Sequence, residues 1–140
     1  MIKYLTYTCL LFSGKNHQYF RNIRTRCGLT DLVQIHHIIP REFRNHPAII
    51  DSGYNIEDGY NLVFLPTRMG VNGLNLHNDR PIHYGGHLLY NRYVGVCLDE
   101  MSGLDNMSDQ DATSREELCR FNRELRQNMR HCKIDWCKIH

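Results

Sequence analysis

Two short apolar segments, each ending at a proline, constrain the fold of this chain more than any other feature of its sequence. Residues 32–39 are rich in β-branched side chains and stop at Pro40, and residues 60–65 run apolar up to Pro66. Runs of this length and composition predict β-strands. Residues 53–59 contain Asn, Asp and two Gly, which predicts a loop or turn. We therefore expect two strands that pair antiparallel across an intervening loop.

Histidine makes up 9 of the 140 residues, and four of the nine form two spaced pairs. His36 and His37 lie near the end of the first predicted strand, whereas His83 and His87 stand four residues apart. On a helix, residues four apart lie on one face one turn apart, so both imidazoles can coordinate a single ion. Because successive strand residues point to opposite faces, one of His36 and His37 can meet that ion while the other points elsewhere.

Helical patterns precede and follow the two strands. Residues 16–27 place Phe20, Ile23 and Cys27 on one apolar face, and Gly28 is positioned to end this helix. Pro81 can begin a second helix that extends to about residue 97 and carries His83 and His87. Residues 67–80 show little periodicity and predict an exposed loop.

A last helix is expected over about residues 114–132. Ser114 and Glu117 form a capping box that opens it. Its apolar stripe consists of Leu118, Phe121, Leu125, Met129 and Cys132, and its arginines Arg120, Arg123 and Arg130 lie largely on another face. Such a face is either solvated surface, which is the more common case, or a ridge that binds DNA.

Length and charge favour one small domain without a membrane span. A chain of 140 residues fits a single domain over residues 1–140. The net charge of +2 is compatible with a polyanionic partner but does not require one. Lys3 interrupts the fairly apolar residues 1–12, which also lack a convincing small-residue cleavage site, and no apolar run is long enough to cross a bilayer. We expect a soluble, intracellular protein.

The six cysteines form no C-x-x-C pair. Although an even number leaves a disulfide framework open, a chain with its own apolar core does not need one, so we expect reduced, mostly buried thiols. Cys132, Cys137 and His140 cluster near the C-terminus and leave a second, structural zinc site as an alternative.

The order strand, turn, strand and helix brings histidines together from both ends of a ββα unit. Phosphodiester hydrolysis needs an activated water, neutralisation of the phosphorane charge and help for the leaving 3′ oxygen. A single metal ion can neutralise the phosphorane charge and help the 3′ oxygen leave. A neutral histidine can activate the water, because the ordinary pKa of an imidazole lies near neutral pH.

Three ordered motifs carry a resemblance to a known family. They are Ile-His-His-Ile-Ile-Pro at residues 35–40, Gly-Tyr-Asn-Ile-Glu-Asp-Gly-Tyr-Asn-Leu-Val-Phe-Leu-Pro at residues 53–66, and His-Tyr-Gly-Gly-His at residues 83–87, followed by Tyr90, Asn91 and Val94. The chain resembles the His-Asn-His (HNH) nuclease superfamily, and within it the AHH-type branch. The resemblance implies an α+β fold with a ββα-metal core over about residues 32–98 and additional helices at each end.

The resemblance also implies a role for each motif residue. His36, His83 and His87 correspond to metal ligands, His37 to the general base and Asn61 to the central asparagine that ties the loop together and orients the base. The implied cofactor is one divalent ion. Imidazole ligands suit Zn²⁺ or another transition ion, and Mg²⁺ or Mn²⁺ is compatible with catalysis if water and phosphate oxygens fill the open positions.

The implied activity is a metal-dependent endonuclease that hydrolyses phosphodiester bonds, and we expect DNA rather than RNA as its substrate. Arg80 and Arg92 flank the ligand helix and are candidates to grip phosphate. One alternative is a zinc-stabilised module that binds nucleic acid without cutting it and has no special use for His37. Another is a toxin-type nuclease effector that an immunity protein holds in check.

Overall fold

A small two-stranded sheet with helices packed around it forms the part of the chain that a computed structural model describes, namely residues 14–76, 88–103 and 113–130. In chain order the elements are α1 (His17–Arg26), β1 (Val33–His37), α2 (Pro47–Ser52), β2 (Leu62–Pro66), α3 (Arg68–Gly73), α4 (Leu88–Met101) and α5 (Arg115–Arg130). Short 3₁₀ turns over Arg41–Asn45 and Gly59–Asn61 precede α2 and β2. The architecture confirms the predicted α+β class.

Strands β1 and β2 pair antiparallel, as predicted, with His36 opposite Val63 and His37 opposite Leu62. Strand β1 is shorter than predicted and ends at His37 rather than at Ile39. The reason lies in the next backbone groups, because the N–H of Ile39 donates to the side chain of Asn61 at 2.9 Å and not to a strand partner. The end of β1, which carries the histidine pair, therefore lies beside the start of β2.

Helix α1 forms where the sequence predicts it, with local signals at both ends. Asn16 caps its first turn by accepting from the N–H of Tyr19 at 3.1 Å, and Gly28 follows its end with a φ of 65° that favours glycine. Phe20 is buried against Phe64, with ring centroids 5.3 Å apart. Cys27 is exposed, so the predicted apolar face does not extend to the end of the helix.

The core lies where α4 and α5 pack over the segments that follow β1 and precede β2. Tyr90, Val94 and Leu98 recur at helical spacing along α4 and are fully buried. Ile38 and Ile39 are equally buried directly after β1. Burial of each large apolar side chain contributes roughly 1.5–3 kcal/mol to the stability of the fold. Ile38 and Ile39, which directly follow the histidine pair, are therefore among the residues that hold the fold together.

Helix α5 begins with the predicted capping box. Ser114 Oγ accepts from the N–H of Glu117 at 3.2 Å, and Glu117 Oε2 accepts from the N–H of Ser114 at 2.7 Å. Its stripe of Leu118, Phe121, Leu125 and Met129 is buried as predicted, while Cys132 lies outside the described residues. Capping and an amphipathic face together explain why this helix could be predicted from sequence.

The prediction of a loop over residues 67–80 is wrong at its start, where α3 forms. Thr67 caps α3 by accepting from the N–H of Gly70 at 3.0 Å, and it donates to the carbonyl oxygen of Asp31 at 2.7 Å. The predicted helix from Pro81 is described only from Leu88, and α4 continues to Met101, beyond the predicted end. Residues 77–87, which include His83 and His87, lie outside the described part.

The three described cysteines are Cys27, Cys97 and Cys119, and all are free. The expectation of mostly buried thiols is wrong for these three, because Cys27 is exposed and the other two are half-buried. Cys9, Cys132, Cys137 and His140 lie outside the described residues. Among the helices that the structure does describe, none has the length and apolar character needed to cross a membrane.

We predict that Gly70→Ala lowers the free energy of unfolding by about 2–3 kcal/mol. A Cβ at Gly70 would lie 1.7 Å from the carbonyl oxygen of Leu32, a backbone atom that also accepts from the N–H of Thr67 at 2.9 Å. Gly73→Ala is the matched control, since its Cβ would lie 3.0 Å from Leu32 Cδ2, a side-chain end that can rotate away. Urea denaturation measures both variants, and equal losses would contradict the close approach of α3 to β1.

Candidate active site

His36 and His37 have different neighbours, as expected for consecutive residues at the end of a strand. His36 is 7% exposed and packs near Tyr90 of α4, with ring centroids 5.8 Å apart. The side chain of His37 is 15% exposed and faces the other way, toward Glu57 and α1. The geometry thus separates a buried imidazole on the α4 side from one that solvent can reach.

His37 lies in a cluster of charged and aromatic groups drawn from three segments. Its Nε2 is 3.3 Å from Glu57 Oε2, and Glu57 Oε1 is in turn 2.7 Å from Arg41 Nε. The ring of His17, the first residue of α1, stacks on His37 with centroids 5.9 Å apart and planes inclined by 19°. We call His37, Glu57, Arg41 and His17 the His37 cluster. Sequence analysis found only His37 among them.

The charges in the His37 cluster, together with burial, shift the pKa values of Glu57 and His17. Burial alone would raise the pKa of Glu57, but the hydrogen bond with His37 and the charges of His37 and Arg41 outweigh it and hold that pKa below its usual value. Burial lowers the pKa of His17, and the charges of Arg21 and His37 lower it further. Near neutral pH these shifts favour an ionised Glu57 beside a neutral His17.

Asn61 is fully buried and joins the two segments that carry the site. Its Oδ1 accepts from the N–H of Ile39 at 2.9 Å, and its Nδ2 donates to the carbonyl oxygens of Ile39 at 3.0 Å and Ile56 at 2.8 Å. The amide therefore links the backbone after β1 with the loop before β2. This is where the sequence hypothesis expects such a link, and the catalytic role of Asn61 stays a prediction.

Helix α5 supports the same loop with two polar side chains that sequence analysis missed. Asn122 Nδ2 donates to Asn61 Oδ1 at 2.9 Å and to the hydroxyl of Tyr54 at 2.8 Å. Arg126 donates to the carbonyl oxygens of Tyr60 at 2.6 Å and Leu62 at 3.3 Å. The available signal was their spacing, because residues four apart on a helix share a face, and both stand beside the apolar stripe of α5.

Two buried tyrosines complete the support of Asn61 and His36. Tyr54 donates to Asn61 Oδ1 at 2.9 Å, and Tyr90 donates to the carbonyl oxygen of Ile38. Burial raises the pKa of each hydroxyl above its usual value, which keeps both protonated as hydrogen-bond donors. The backbone that follows the histidine pair is thereby held by Tyr90 directly and by Tyr54 through Asn61.

His36 is the predicted metal ligand that the structure describes. The described residues include no group of three or more His, Cys, Asp or Glu side chains that could hold an ion, and His83 and His87 lie outside them. His36 has a buried Nε2 and lies beside α4, whose first described residue directly follows His87 in the chain. A buried imidazole is a donor that suits zinc and similar ions, so the described part of the predicted ligand set fits such an ion.

The remaining predicted phosphate contacts are not brought to the His37 cluster by the described structure. Arg92 is exposed on α4, and Arg80 lies outside the described residues. Arg41 was not predicted, yet its side chain is 63% exposed and joins the His37 cluster through Glu57. Arg41 therefore brings an exposed guanidinium into the His37 cluster.

Comparison with known proteins gives one match. Residues 16–129 match a family model described as AHH, a nuclease family of the HNH/ENDO VII superfamily with conserved AHH. No curated protein and no solved structure matches the chain. The match spans α1 to α5 and therefore includes every element described above.

Proposed function

Because this chain belongs to the AHH family, a nuclease family of the HNH/ENDO VII superfamily, we propose that it is a metal-dependent endonuclease that hydrolyses phosphodiester bonds of DNA. Family membership supports nuclease activity, and the proposal adds the metal, the substrate and the residue roles. The observation that carries it is the position of His37, a solvent-accessible imidazole at the end of β1 with an ionised carboxylate on one side and an exposed arginine nearby.

His37 is the proposed general base. It takes a proton from a water molecule as the water oxygen attacks phosphorus, and the bond to the 3′ oxygen breaks. A partly exposed imidazole can be reached by both water and substrate, and histidine is the side chain that most often serves as a general base. The negative charge of Glu57 stabilises the imidazolium that results.

His36, His83 and His87 are the proposed ligands of one divalent ion. When bound, such an ion supplies neutralisation of the charge that develops on the phosphorane and stabilisation of the leaving 3′ oxygen. Imidazole nitrogens favour Zn²⁺ or another transition ion, while Mg²⁺ or Mn²⁺ would rely more on oxygen ligands from water and substrate. His36 contributes from the buried side of β1, where Tyr90 and the Ile38 backbone limit its movement.

Asn61 is proposed to act as a positioning residue for both histidines. Its amide holds the backbone at Ile39, two residues after His37, and ties it to the loop that carries Glu57. Asn122 and Arg126 of α5 hold that loop from the other side. This arrangement fixes the distance between the base and its neighbours before substrate arrives, which is how a rigid site lowers the cost of orientation.

Exposed arginines in and near the His37 cluster are proposed to bind the phosphates of the nucleic-acid backbone. Arg41 lies within the cluster, and Arg21 is close enough to His17 for its charge to lower the pKa of that imidazole. Guanidinium groups bind phosphate oxygens through paired hydrogen bonds, and such contacts position a duplex without reading its sequence. The net charge of the chain is only +2, so affinity is expected to be modest and, as for other binding through phosphate contacts, to fall as salt rises.

The test of this proposal is cleavage of supercoiled plasmid by the purified, metal-stripped chain with Mg²⁺, Mn²⁺, Ni²⁺ or Zn²⁺ restored in parallel. Nicking or linearisation that needs both a metal and His37 is the expected result. Cleavage of RNA but not of plasmid would replace the proposed substrate. Stoichiometric metal binding without cleavage of either would favour the non-catalytic module, and an acidic protein that co-purifies would favour the toxin-type effector.

We predict that His83→Ala and His87→Ala each weaken metal affinity at least about tenfold and reduce the stabilisation that metal gives. An ion held at 100 times its dissociation constant stabilises the folded state by about 2.7 kcal/mol, and the variants should lose about half of this gain or more under the same conditions. Calorimetric titration and thermal unfolding with and without Zn²⁺ measure the two effects. His37→Ala is the matched control and should bind metal normally. Unchanged metal binding in the His83 and His87 variants would rule out the ligand set.

A further inference from the structure

Glu57 occupies a position that its own loop fixes. Its N–H donates to Asn55 Oδ1 at 3.0 Å, and the carbonyl oxygen of the preceding Ile56 accepts from Asn61 Nδ2 at 2.8 Å. On the other side, Asp58 Oδ1 accepts from the N–H of Tyr60 at 3.1 Å. The backbone that carries the carboxylate is thus held both before and after Glu57.

The two oxygens of Glu57 have separate partners. Oε1 lies 2.7 Å from Arg41 Nε, and Oε2 lies 3.3 Å from His37 Nε2. Arg41 begins the 3₁₀ turn that starts four residues after β1 ends, so both partners are anchored to the same stretch of backbone. Arg41 therefore holds Glu57 in place while leaving one carboxylate oxygen for the imidazole.

We infer that Glu57 is a positioning residue for His37. Its carboxylate accepts a hydrogen bond from the Nε2–H of the imidazole, which leaves Nδ1 as the nitrogen that takes the proton from water. This assignment rests on the role of His37 proposed above. It adds a residue to the reaction and names the ring nitrogen that performs the proton transfer.

The physical reason is the hydrogen-bonding capacity of the two groups. An ionised carboxylate can only accept, so the imidazole nitrogen that faces it must carry a proton. In a neutral imidazole the other nitrogen then has no proton and can act as a base. The separation of 3.3 Å is longer than a charge-assisted hydrogen bond usually is. We expect it to shorten when His37 becomes charged, since catalytic hydrogen bonds tighten along the reaction.

His17 adds a second restraint on the same ring. Its imidazole lies almost parallel to that of His37, with planes inclined by 19°. Burial and neighbouring positive charge keep the pKa of His17 low, so this neighbour is largely uncharged near neutral pH. A neutral stacked ring limits the tilt of His37 without competing for the carboxylate of Glu57.

The first arm of the test compares steady-state kinetics of the full chain, loaded with whichever metal supports cleavage, as wild type, Glu57→Ala and Glu57→Gln. Glu57→Ala should lower kcat about 10- to 100-fold, the range seen when a partner that orients a key imidazole is removed. KM should change by less than about twofold, because the contact with His37 strengthens in the transition state, and the exposed Arg41 can still bind phosphate without its Glu57 partner. Glu57→Gln keeps an acceptor oxygen and should lose less. Glu116→Ala, an exposed carboxylate in the first turn of α5, is the matched control and should leave both constants unchanged.

The second arm determines which imidazole nitrogen of His37 carries the proton, and it does not depend on cleavage activity. Long-range ¹H–¹⁵N correlation spectra of the Zn²⁺-loaded chain at about pH 8.5, well above the ordinary imidazole pKa, distinguish a protonated Nε2 from a protonated Nδ1. The His37 signals are identified by their absence in His37→Ala. Wild type should show the proton on Nε2, and Glu57→Ala should show a mixture of both forms.

Two results would overturn the assignment of Glu57. One is a kcat for Glu57→Ala within about twofold of wild type, and the other is a wild-type His37 with its proton on Nδ1. Either can occur while His37→Ala is inactive, in which case the proposed function stands without this residue. Retained cleavage in His37→Ala would instead remove the proposed base itself, so the two failures are distinguishable.

Discussion

Replacing His37 by alanine is expected to lower the cleavage rate by about 10³-fold or more while the protein stays folded and binds metal. A positioned general base typically contributes about 10²–10⁴-fold to a rate. His46 also has a carboxylate neighbour, Asp99, but its Nδ1 already accepts from the N–H of Ala48. His17 is adjacent to His37, but it makes no hydrogen bond to Glu57 among the described contacts, and burial and nearby positive charge lower its pKa.

The stability of His37→Ala should remain close to that of wild type. The contact it loses is a pair in which Glu57 is 42% exposed, and exposed ion pairs contribute only about 0–1 kcal/mol. Plasmid cleavage over a time course measures the rate, and thermal unfolding with and without metal shows that the fold and the metal site persist. Cleavage within about tenfold of wild type would rule out His37 as the base.

His46→Ala serves as a control that should lower stability and leave the cleavage rate unchanged. His46 caps α2 by accepting from the N–H of Ala48 at 3.1 Å, and its Nε2 lies 2.9 Å from Asp99 Oδ1 of α4. Loss of a helix cap costs about 1 kcal/mol, so this variant should melt at a lower temperature. Below its melting range it should cleave at the wild-type rate, because His46 contacts neither the His37 cluster nor Asn61 in any described interaction. Together the two variants separate catalysis from stability.

Asn61→Ala is expected to reduce the free energy of unfolding by about 3–5 kcal/mol, the largest stability loss that any single replacement at this site should cause. The change leaves two carbonyl oxygens and one N–H of Ile39 and Ile56 without their side-chain partner. It also removes the acceptor of the Tyr54 hydroxyl and of Asn122 Nδ2. Each buried polar group left unsatisfied costs about 1–3 kcal/mol, less where water can enter.

Asn16→Ala is the matched control for Asn61→Ala, since it removes the same amide from an exposed helix cap. Asn16 makes one capping bond, to the N–H of Tyr19 at 3.1 Å, and its loss should cost about 1 kcal/mol. Urea denaturation at fixed metal concentration compares the two variants on one scale. If Asn61→Ala were no less stable than Asn16→Ala, the network around Asn61 would not hold the loop as described.

Local signals in the sequence predicted the main elements well. The prolines after both apolar runs, the cap of α1 and the capping box of α5 act within a few residues, so they can be read directly from the chain. Helix α3 was missed because Gly70 and Gly73 lower intrinsic helix propensity. It forms through the Thr67 cap and through a close approach to Leu32, which only a glycine at position 70 permits.

The sequence by itself determined the class of fold and, through its motifs, pointed to His36, His37 and Asn61. These follow from residue type and short spacing, which fix strand ends and loop positions. Only the tertiary structure placed Glu57 and Arg41 around His37 and brought Asn122 and Arg126 of α5 to the Asn61 loop. Those contacts join residues at least 16 positions apart, and such partners depend on how the loops cross and how the helices pack rather than on any local pattern.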